Sequence, residues 1–259
     1  MRRYDHGDKF LSIPKRRAPP LKILDLCTGS GCIPLLLNNL ISKSHGKLEI
    51  HGWDISEHAI ALAKENLRHN FQLGHVKTTF HKRINFEVVD IFDNSSRLTN
   101  ILQKQSTRGM VNAKVDIIIS NPPYISQEAF KKETTRSVRN WEPKLALVPR
   151  KPPQSKHLKR VDAADIFYQR LLVLHTDTFR SQVLLMEVGD EEQAIRVAKM
   201  AMDHCGTRNH IEIWRENPDS GNLKMFQSAK IKIPVRGSGG FRTVALFKFR
   251  NTAKTLYES

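Results

Sequence analysis

The run Asn121-Pro122-Pro123-Tyr124 combines groups that could hold a planar amino group. It directly follows the apolar residues 115–120, which are predicted to form a strand. Two consecutive prolines end a strand, because each lacks an amide hydrogen and fixes its own φ. The Asn121 carboxamide oxygen and the Pro122 carbonyl could then accept both hydrogens of an amino group, while the Tyr124 ring stacks on its plane. The alternative interpretation is a strand followed by an ordinary tight turn.

A second candidate site lies upstream, in a glycine-rich turn. Residues 21–26 are predicted to form a strand and residues 32–40 a helix, with the turn 27–31 (CTGSG) between them. A strand, a glycine turn and a helix form a nucleotide-binding layout. The turn differs from the Gly-x-Gly-x-x-Gly of dinucleotide enzymes, because the third glycine is missing and Pro34 occupies the first turn of the helix. These residues favour a smaller, less anionic cofactor than a dinucleotide.

Two carboxylates follow the next predicted strands. Residues 48–53 lead into Asp54, and residues 84–89 lead into Asp90. Ser56 is predicted to cap a helix that reaches about residue 69. Asp54 can accept hydrogen bonds from both hydroxyls of a ribose, and Asp90 is placed to meet an adenine amino group; either could instead be an ordinary loop carboxylate. Because open α/β sheets bind ligands at the carboxyl ends of strands, we expect both candidate sites at one edge.

Together these motifs resemble those of HemK/PrmC-type protein-(glutamine-N5) methyltransferases, a family dependent on S-adenosylmethionine (AdoMet). This family methylates the glutamine of the Gly-Gly-Gln motif in peptide-chain release factors. The resemblance covers about residues 21–249, and residues 25–34 are most similar to fungal mitochondrial members. It also rests on residues 141–147 (WEPKLAL), 165–168 (DIFY), 185–189 (LMEVG) and 239–244 (GGFRTV).

The resemblance implies a cofactor, AdoMet, and a set of site residues. Asp25 would lie close to the ammonium end of the cofactor. The predicted cofactor-binding residues are Asp25, Cys27, Thr28, Gly29, Ser30, Gly31, Asp54, Asp90, Ile91 and Asn121. The predicted catalytic residues are Asn121, Pro122, Pro123 and Tyr124.

We expect a Rossmann-like class I AdoMet-dependent methyltransferase fold. Its seven-stranded, mostly parallel sheet would carry helices on both faces and end in an antiparallel hairpin at about residues 212–249. Residues 21–250 would form this α/β domain, with a disordered basic segment at residues 1–20 and a tail at residues 251–259. Two further stretches are predicted to be long loops, residues 93–113 and 217–240.

The formal charge of +16 is unevenly distributed. Residues 131–160 hold ten Lys or Arg against Glu133 and Glu142, and they would rim the site. They could draw the phosphates of RNA, placing the protein near the ribosome, or an acidic substrate face; the alternative is a solvated, disordered loop.

The sequence shows neither the spacing of a metal site nor the apolar length of a membrane span. The three cysteines form an odd set without metal-ligand spacing, so no metal site is predicted and the thiols are expected to be reduced. No apolar stretch approaches the roughly 20 residues of a membrane span. We expect a monomer that is mitochondrial by the family resemblance, with the cytoplasm as the alternative.

The beginning of the chain departs from the family pattern. Members usually carry a helical domain that helps dock the release factor, followed by a Pro-Arg-x-Glu-Thr-Glu type segment bordering the active site. Here 20 residues precede the first predicted strand, and residues 13–20 keep no acidic residue. A shortened gene model, an alternative start or a degenerate paralogue would each produce this beginning.

Three functions follow as hypotheses. The first is methylation of the release-factor glutamine. The second is methylation of an exocyclic amine of a nucleic-acid base, such as adenine N6, which would use the same loop but need a base-flipping pocket. The third is an inactive, cofactor-binding paralogue or truncated form.

Overall fold

One nine-stranded sheet organises the chain. The computed structural model describes residues 20–41, 47–76, 83–105, 113–132, 134–149, 163–221, 223–227 and 231–249. The expectations for residues 1–19 and 251–259 lie outside these ranges. The strands are β1 (Leu21–Leu26), β2 (Leu48–Asp54), β3 (Ile84–Val88), β4 (Ile117–Ser120), β5 (Val183–Glu187), β6 (Asn209–Asn217), β7 (Lys224–Gln227), β8 (Lys232–Arg236) and β9 (Ser238–Lys248).

The strand order creates a crevice at the centre of the sheet. The order is β3-β2-β1-β4-β5-β9-β6-β8-β7. Strands β1 to β5 pair in parallel, whereas β9 runs antiparallel to both β5 and β6. The order reverses between β1 and β4, and ligands bind outside the carboxyl ends of strands at such a switch point. The predicted α/β fold class and the antiparallel ending of the sheet are confirmed.

Helices connect the parallel strands. Helix α2 begins as predicted, because the Ser56 hydroxyl accepts a hydrogen bond from the Ala59 amide. The helices are α1 (Cys32–Ile41), α2 (Glu57–Gln72), α3 (Ser95–Gln105), α4 (Gln127–Lys132), α5 (Arg136–Trp141), α6 (Lys144–Leu147), α7 (Ile166–Val173) and α8 (Glu191–Cys205).

Two hydrophobic cores lie on opposite faces of the sheet. Successive strand residues point to opposite faces, so the neighbours Ile23 and Leu24 enter different cores. The first core includes Ile60 of α2 and Phe86 of β3. The second and larger core includes Leu171 of α7 along with residues of α3 and α8. Burial on both faces makes β1 and its neighbours a rigid base for the loops at their carboxyl ends.

The segment 217–240 is not a long loop, and this prediction was wrong. It contains β7 and β8, so the sheet has nine strands rather than the predicted seven. Ile233 and Val235 alternate with outward residues and are buried, which is the period of a strand. Pro234 and Gly237 made the segment resemble a loop, because proline and glycine are typical of turns. Pro234 lies outside the two-residue pairing of β8 with β6 and stands opposite Met225 of the edge strand β7.

Part of the segment 93–113 is a helix, and there the prediction of a long loop was wrong. Residues 95–105 form α3, whose Leu98 and Leu102 are buried four residues apart on one face. The Asn94 side chain accepts a hydrogen bond from the Arg97 amide at 2.8 Å and so begins the helix. A polar composition concealed the helix, since two leucines alone define its buried face.

A buried carboxylate ties the added strands to the rest of the sheet. Glu212 of β6 is 5% exposed. It accepts hydrogen bonds from the Arg236 guanidinium of β8 at 3.0 and 3.1 Å and from Trp214 Nε1 at 2.8 Å, and His210 Nε2 lies 3.0 Å away. Burial by itself raises the pKa of Glu212, but these hydrogen bonds outweigh it and lower the pKa to about 2. The charge is therefore retained at neutral pH and holds β8 on β6.

Candidate active site

A cavity of about 740 Å³ opens at the carboxyl ends of β1 to β4. Its volume is typical of a small-molecule site. The structure brings most of the predicted site residues to its wall: Cys27, Thr28, Gly29, Ser30, Asp54, Asp90, Ile91, Asn121, Pro123 and Tyr124. Asp25, Gly31 and Pro122 are buried and are not among the residues that line the cavity. The chemical roles assigned to these residues stay predictions.

The glycine turn after β1 requires unusual backbone conformations. Gly29 and Gly31 have φ of 54° and 77°, a region that favours glycine. A Cβ atom at Gly31 would lie 2.6 Å from Cζ of Phe86, whereas one at Gly29 would meet nothing within 4 Å. Gly31 thus packs the turn against β3. Gly29 leaves its backbone open to a ligand in the cavity.

Asp54 fastens this turn to the end of β2. Its Oδ2 accepts a hydrogen bond from the Gly29 amide at 2.9 Å, and its Oδ1 accepts one from the Ser56 amide at 2.9 Å. Each carboxylate oxygen keeps a second lone pair, so Asp54 can still accept hydrogen bonds from ligand hydroxyls. The residue therefore supports the turn and remains available to a ligand.

Asp90 and Ile91 are held in a similar way at the end of β3. Asp90 Oδ1 accepts a hydrogen bond from the Phe92 amide at 2.9 Å. Arg170 of α7 reaches across and donates to the Ile91 and Asp93 carbonyls, at 2.6 Å each. Sequence reasoning did not identify Arg170, because it lies 79 residues from Ile91 along the chain.

Asp25 is a fully buried carboxylate behind the turn. Its Oδ2 accepts a hydrogen bond from the Thr28 hydroxyl at 2.5 Å, while its Oδ1 has no hydrogen-bond partner among the described residues. Burial raises the pKa of Asp25 to about 7, and the nearby Asp54 charge adds to this, whereas the Thr28 hydrogen bond opposes it. A buried carboxylate oxygen without a partner fits a site that receives a cationic group.

The loop after β4 presents Asn121 to the cavity. The Ser120 hydroxyl donates to the Leu26 carbonyl at 2.8 Å and fixes the end of β4 against β1. Pro122 and Pro123 are buried, and Asn121 is exposed on the cavity wall. The Tyr124 hydroxyl donates to Glu187 Oε1 at 3.4 Å. Burial raises the pKa of both of these groups, so the phenol keeps its proton at neutral pH.

Further wall residues were missed as site residues by sequence reasoning. Phe92 and Phe167 meet edge to face with ring centroids 5.1 Å apart, and both line the cavity. The segment containing α6 forms another part of the wall through Glu142, Pro143, Leu145, Ala146 and Leu147. The family resemblance singled out most of these residues as motifs, but gave them no role in the site.

Exposed basic residues lie next to this last part of the wall along the chain. They are Lys131, Lys132, Arg136, Arg139 and Lys144, on α4 to α6. Trp141 stands beside them and is 86% exposed. Residues 150–160, which complete the predicted basic segment, lie outside the described ranges. The described part of this segment therefore borders the cavity.

In the described part of the chain, no group of three or more His, Cys, Asp or Glu side chains is arranged to hold a metal ion. In the same ranges, no helix combines the length and apolar character needed to cross a membrane.

The fold and the site together define a class of protein. The central strand order, the glycine turn after β1 and the carboxylates ending β2 and β3 are those of the class I AdoMet-dependent methyltransferase fold. The chain belongs to the Eco57I restriction-modification methylase family, whose model matches residues 49–178, half of the chain.

Curated relatives confirm the resemblance to glutamine methyltransferases. The chain is 31% identical over 197 residues to the probable MRF1 mitochondrial N(5)-glutamine methyltransferase mtq1 of Schizosaccharomyces pombe, covering 76% of this chain and 56% of that protein. It is 35% identical to a release factor glutamine methyltransferase of Bacteroides thetaiotaomicron, covering 54% and 41%. It is 29% identical to a ribosomal protein uL3 glutamine methyltransferase of Francisella tularensis, covering 67% and 43%. The chain thus spans about half the length of these relatives.

Proposed function

We propose that this chain transfers a methyl group from AdoMet to the side-chain amide nitrogen of a glutamine in a protein, namely the glutamine of the Gly-Gly-Gln motif of a release factor. One observation carries the proposal. The exposed Asn121 carboxamide shares a single cavity with the Gly29 turn and with Asp54. Sites for a cofactor and for an amide acceptor therefore adjoin. The names of the curated relatives support glutamine as the acceptor.

The residues around the turn fit AdoMet as the cofactor. AdoMet, when bound, supplies the electrophilic methyl group. Gly29 leaves its backbone accessible to the methionine part, with Cys27, Thr28 and Ser30 beside it and Gly31 behind it. The unpartnered Oδ1 of Asp25 fits the ammonium group, and Asp54 has lone pairs for the ribose hydroxyls. Asp90 and Ile91 would face the adenine, with Asp90 accepting from its amino group.

The acceptor loop would make an amide nitrogen reactive. Such a nitrogen is a poor nucleophile, because its lone pair is delocalised into the carbonyl. Accepting both of its hydrogens, by the Asn121 side chain and the Pro122 carbonyl, enriches the nitrogen and directs it toward the methyl group. The Tyr124 ring stacks on the amide plane, and Pro123 stiffens the loop. The product amide loses its proton after transfer, so no general base is required.

Partner and location follow from the same relatives. We infer a mitochondrial release factor as the substrate and a mitochondrial location, with the cytoplasm as the alternative location, and we infer a monomeric enzyme. The exposed lysines and arginines of α4 to α6 support binding near RNA or the ribosome, since they would attract phosphates beside the cavity.

The test is mass spectrometry of candidate substrates after incubation with the chain and AdoMet. One arm uses a mitochondrial release factor and a second uses the ribosomal protein uL3, each with a Gln→Ala control at the candidate glutamine. A gain of one methylene mass on the Gly-Gly-Gln peptide alone supports the release factor. A gain on uL3 alone supports glutamine methylation but makes uL3, and not the release factor, the substrate. No gain in either arm, with AdoMet binding verified by calorimetry, contradicts glutamine methylation and favours the inactive paralogue or truncated form.

Methylation of a nucleic-acid base is the second candidate. The description of the matching family model and the basic surface beside the cavity favour it. Transfer of labelled methyl groups to adenine-containing DNA or RNA, with binding that weakens steeply as salt rises, would support this activity. Salt-insensitive binding without transfer would exclude it.

A further inference from the structure

One peptide group of the loop that carries Asn121 is bonded to other segments at both of its polar atoms. The Tyr124 carbonyl accepts a hydrogen bond from Gln193 Nε2 at 3.2 Å. The Ile125 amide donates to the Leu147 carbonyl at 2.9 Å. These two atoms belong to the same peptide plane, and they are bonded to segments on opposite sides of it. The orientation of this plane is therefore set from outside the loop.

Gln193 is buried and uses both ends of its carboxamide. Besides Tyr124, its Nε2 donates to Asp165 Oδ1 at 3.0 Å, while its Oε1 accepts from the Gly189 amide at 2.9 Å and lies 3.4 Å from the Tyr168 hydroxyl. Asp165 is itself fixed by Arg196, whose Nε and a terminal nitrogen donate to it at 2.8 and 3.3 Å. Two acceptors at one end and a donor at the other allow one orientation of the Gln193 amide.

The same segment also contacts the Tyr124 ring. A Cβ atom at Gly189 would lie 2.9 Å from Cδ2 of Tyr124, so the ring lies directly on this glycine. The Tyr124 hydroxyl donates to Glu187 Oε1 at 3.4 Å. In turn, the Tyr168 hydroxyl donates to the Glu187 carbonyl at 2.8 Å and fixes the end of β5. Carbonyl, ring and hydroxyl of Tyr124 are thus all held by residues 187–193.

The Gln193 side chain is not needed to start its own helix. Asp190 caps α8, because its Oδ1 accepts a hydrogen bond from the Gln193 backbone amide at 2.7 Å. The side chain is not needed for this cap, and it forms hydrogen bonds with Tyr124, Gly189 and Asp165 instead. Its role is therefore separable from the formation of α8.

We propose that Gln193 is a positioning residue for the acceptor side of the cavity. It sets the plane of the Tyr124–Ile125 peptide, and thereby the direction of the Tyr124 ring and of the Asn121 carboxamide. Its effect on catalysis rests on the proposed methyl transfer, whereas its effect on the loop does not. Removing it leaves the cofactor wall intact and loosens the acceptor wall.

Hydrogen exchange tests the effect on the loop. Pro122 and Pro123 have no amide hydrogen, so a fragment spanning this loop reports on few amides, including that of Ile125. In Gln193→Leu, we expect this fragment to exchange about tenfold faster, since one buried hydrogen bond that orders the loop is lost. The matched control is Glu192→Gln, an exposed neighbour on the same turn of α8, which should leave the exchange unchanged.

Kinetics test the effect on catalysis. In Gln193→Leu, we expect kcat to fall about tenfold while the AdoMet affinity stays within about twofold, because the misaligned loop affects transfer and not cofactor binding. If Gln193→Leu does not fold, Gln193→Glu keeps the shape and places a carboxylate against Asp165 and the Tyr124 carbonyl; the same two changes are expected.

The two proposals fail in different ways. Unchanged exchange at Ile125 in a folded variant overturns the positioning role, whatever the activity. Equal losses of kcat and AdoMet affinity also overturn it, because they indicate general damage. If the wild-type chain methylates no glutamine, the proposed function fails, and faster exchange in Gln193→Leu still supports the role of Gln193 in holding the loop.

Discussion

The glycine turn of the cofactor wall and the loop of the acceptor wall are held by contacts of different range. On the cofactor wall, Thr28 bonds to Asp25 three residues away, and Gly29 bonds to Asp54 at a separation of 25. On the acceptor wall, Tyr124 depends on residues 63 and 69 positions further along the chain, and Ser120 bonds to Leu26 at a separation of 94.

This difference indicates how each wall responds to change. Around the glycine turn the cofactor wall is a compact motif, so its geometry there depends on its own glycines and carboxylates, whereas its edge at Ile91 is held by Arg170 of α7. The acceptor wall is short and carries two prolines, and its direction is imposed by β5, α8 and the segment containing α6. Substitutions within the cofactor wall should impair cofactor binding, whereas those around the acceptor wall should impair transfer.

The largest effect is expected from Asn121→Ala. The substitution removes the carboxamide that would hold the acceptor nitrogen, so turnover should fall by at least about a hundredfold. The affinity for AdoMet should change by no more than about threefold, as measured by calorimetry. Asn140→Ala, an exposed asparagine on α5, is the matched control and should retain full activity. Loss of turnover and cofactor affinity together would mean that Asn121 supports the structure, and would contradict the comparison between the walls.

A pair of glycine substitutions sharpens the comparison on the cofactor wall. Gly31 and Gly74 have φ of 77° and 75°, so alanine is strained equally at both. At Gly31 the new Cβ would also lie 2.6 Å from Phe86, whereas at Gly74 it meets nothing within 4 Å. Gly31→Ala should therefore lower the free energy of unfolding by about 1–3 kcal/mol more than Gly74→Ala.

Cofactor binding should separate the same two variants. We expect Gly31→Ala, but not Gly74→Ala, to weaken AdoMet binding, because the turn must move away from β3 to make room for the alanine side chain. Chemical denaturation and calorimetry measure the two effects. Equal destabilisation by both variants would show that the contact with Phe86 relaxes without cost.

A pH dependence is also expected to originate from Asp25. Burial raises the pKa of Asp25 from its ordinary value of 3.8 to about 7, so the folded chain keeps a proton that the unfolded chain has released. The free energy of unfolding should therefore fall as the pH rises from about 4 to about 7, and this contribution should be missing in Asp25→Asn.

Binding of AdoMet should show the opposite trend. An ammonium group prefers the ionised carboxylate, so the affinity should rise by up to about tenfold between about pH 6 and pH 8. Asp25→Asn should bind weakly at both pH values. Asp203→Asn, an exposed carboxylate on α8, should behave like the wild type. A wild-type affinity that does not change with pH would contradict the placement of the ammonium beside Asp25.

The accuracy of sequence reasoning followed the range of the interactions. The turn at Gly29, the N-cap Ser56 and the strand ends at Asp54 and Asp90 were located correctly, because each depends on a local pattern of residue types. The strands β7 and β8 and the helix α3 were read as loops, because proline, glycine and polar residues outnumber the few apolar positions that pack.

The sequence by itself determined the parallel core, the edge of the sheet where the site lies, and the motifs that meet there. These follow from strand periodicity and from the glycines and prolines that end strands, which act over a few residues. Only the tertiary structure decided that Arg170 would hold the Ile91 loop and that Gln193 would hold Tyr124. Hydrogen bonds between residues distant along the chain depend on how helices pack on the sheet, and no local pattern records that packing.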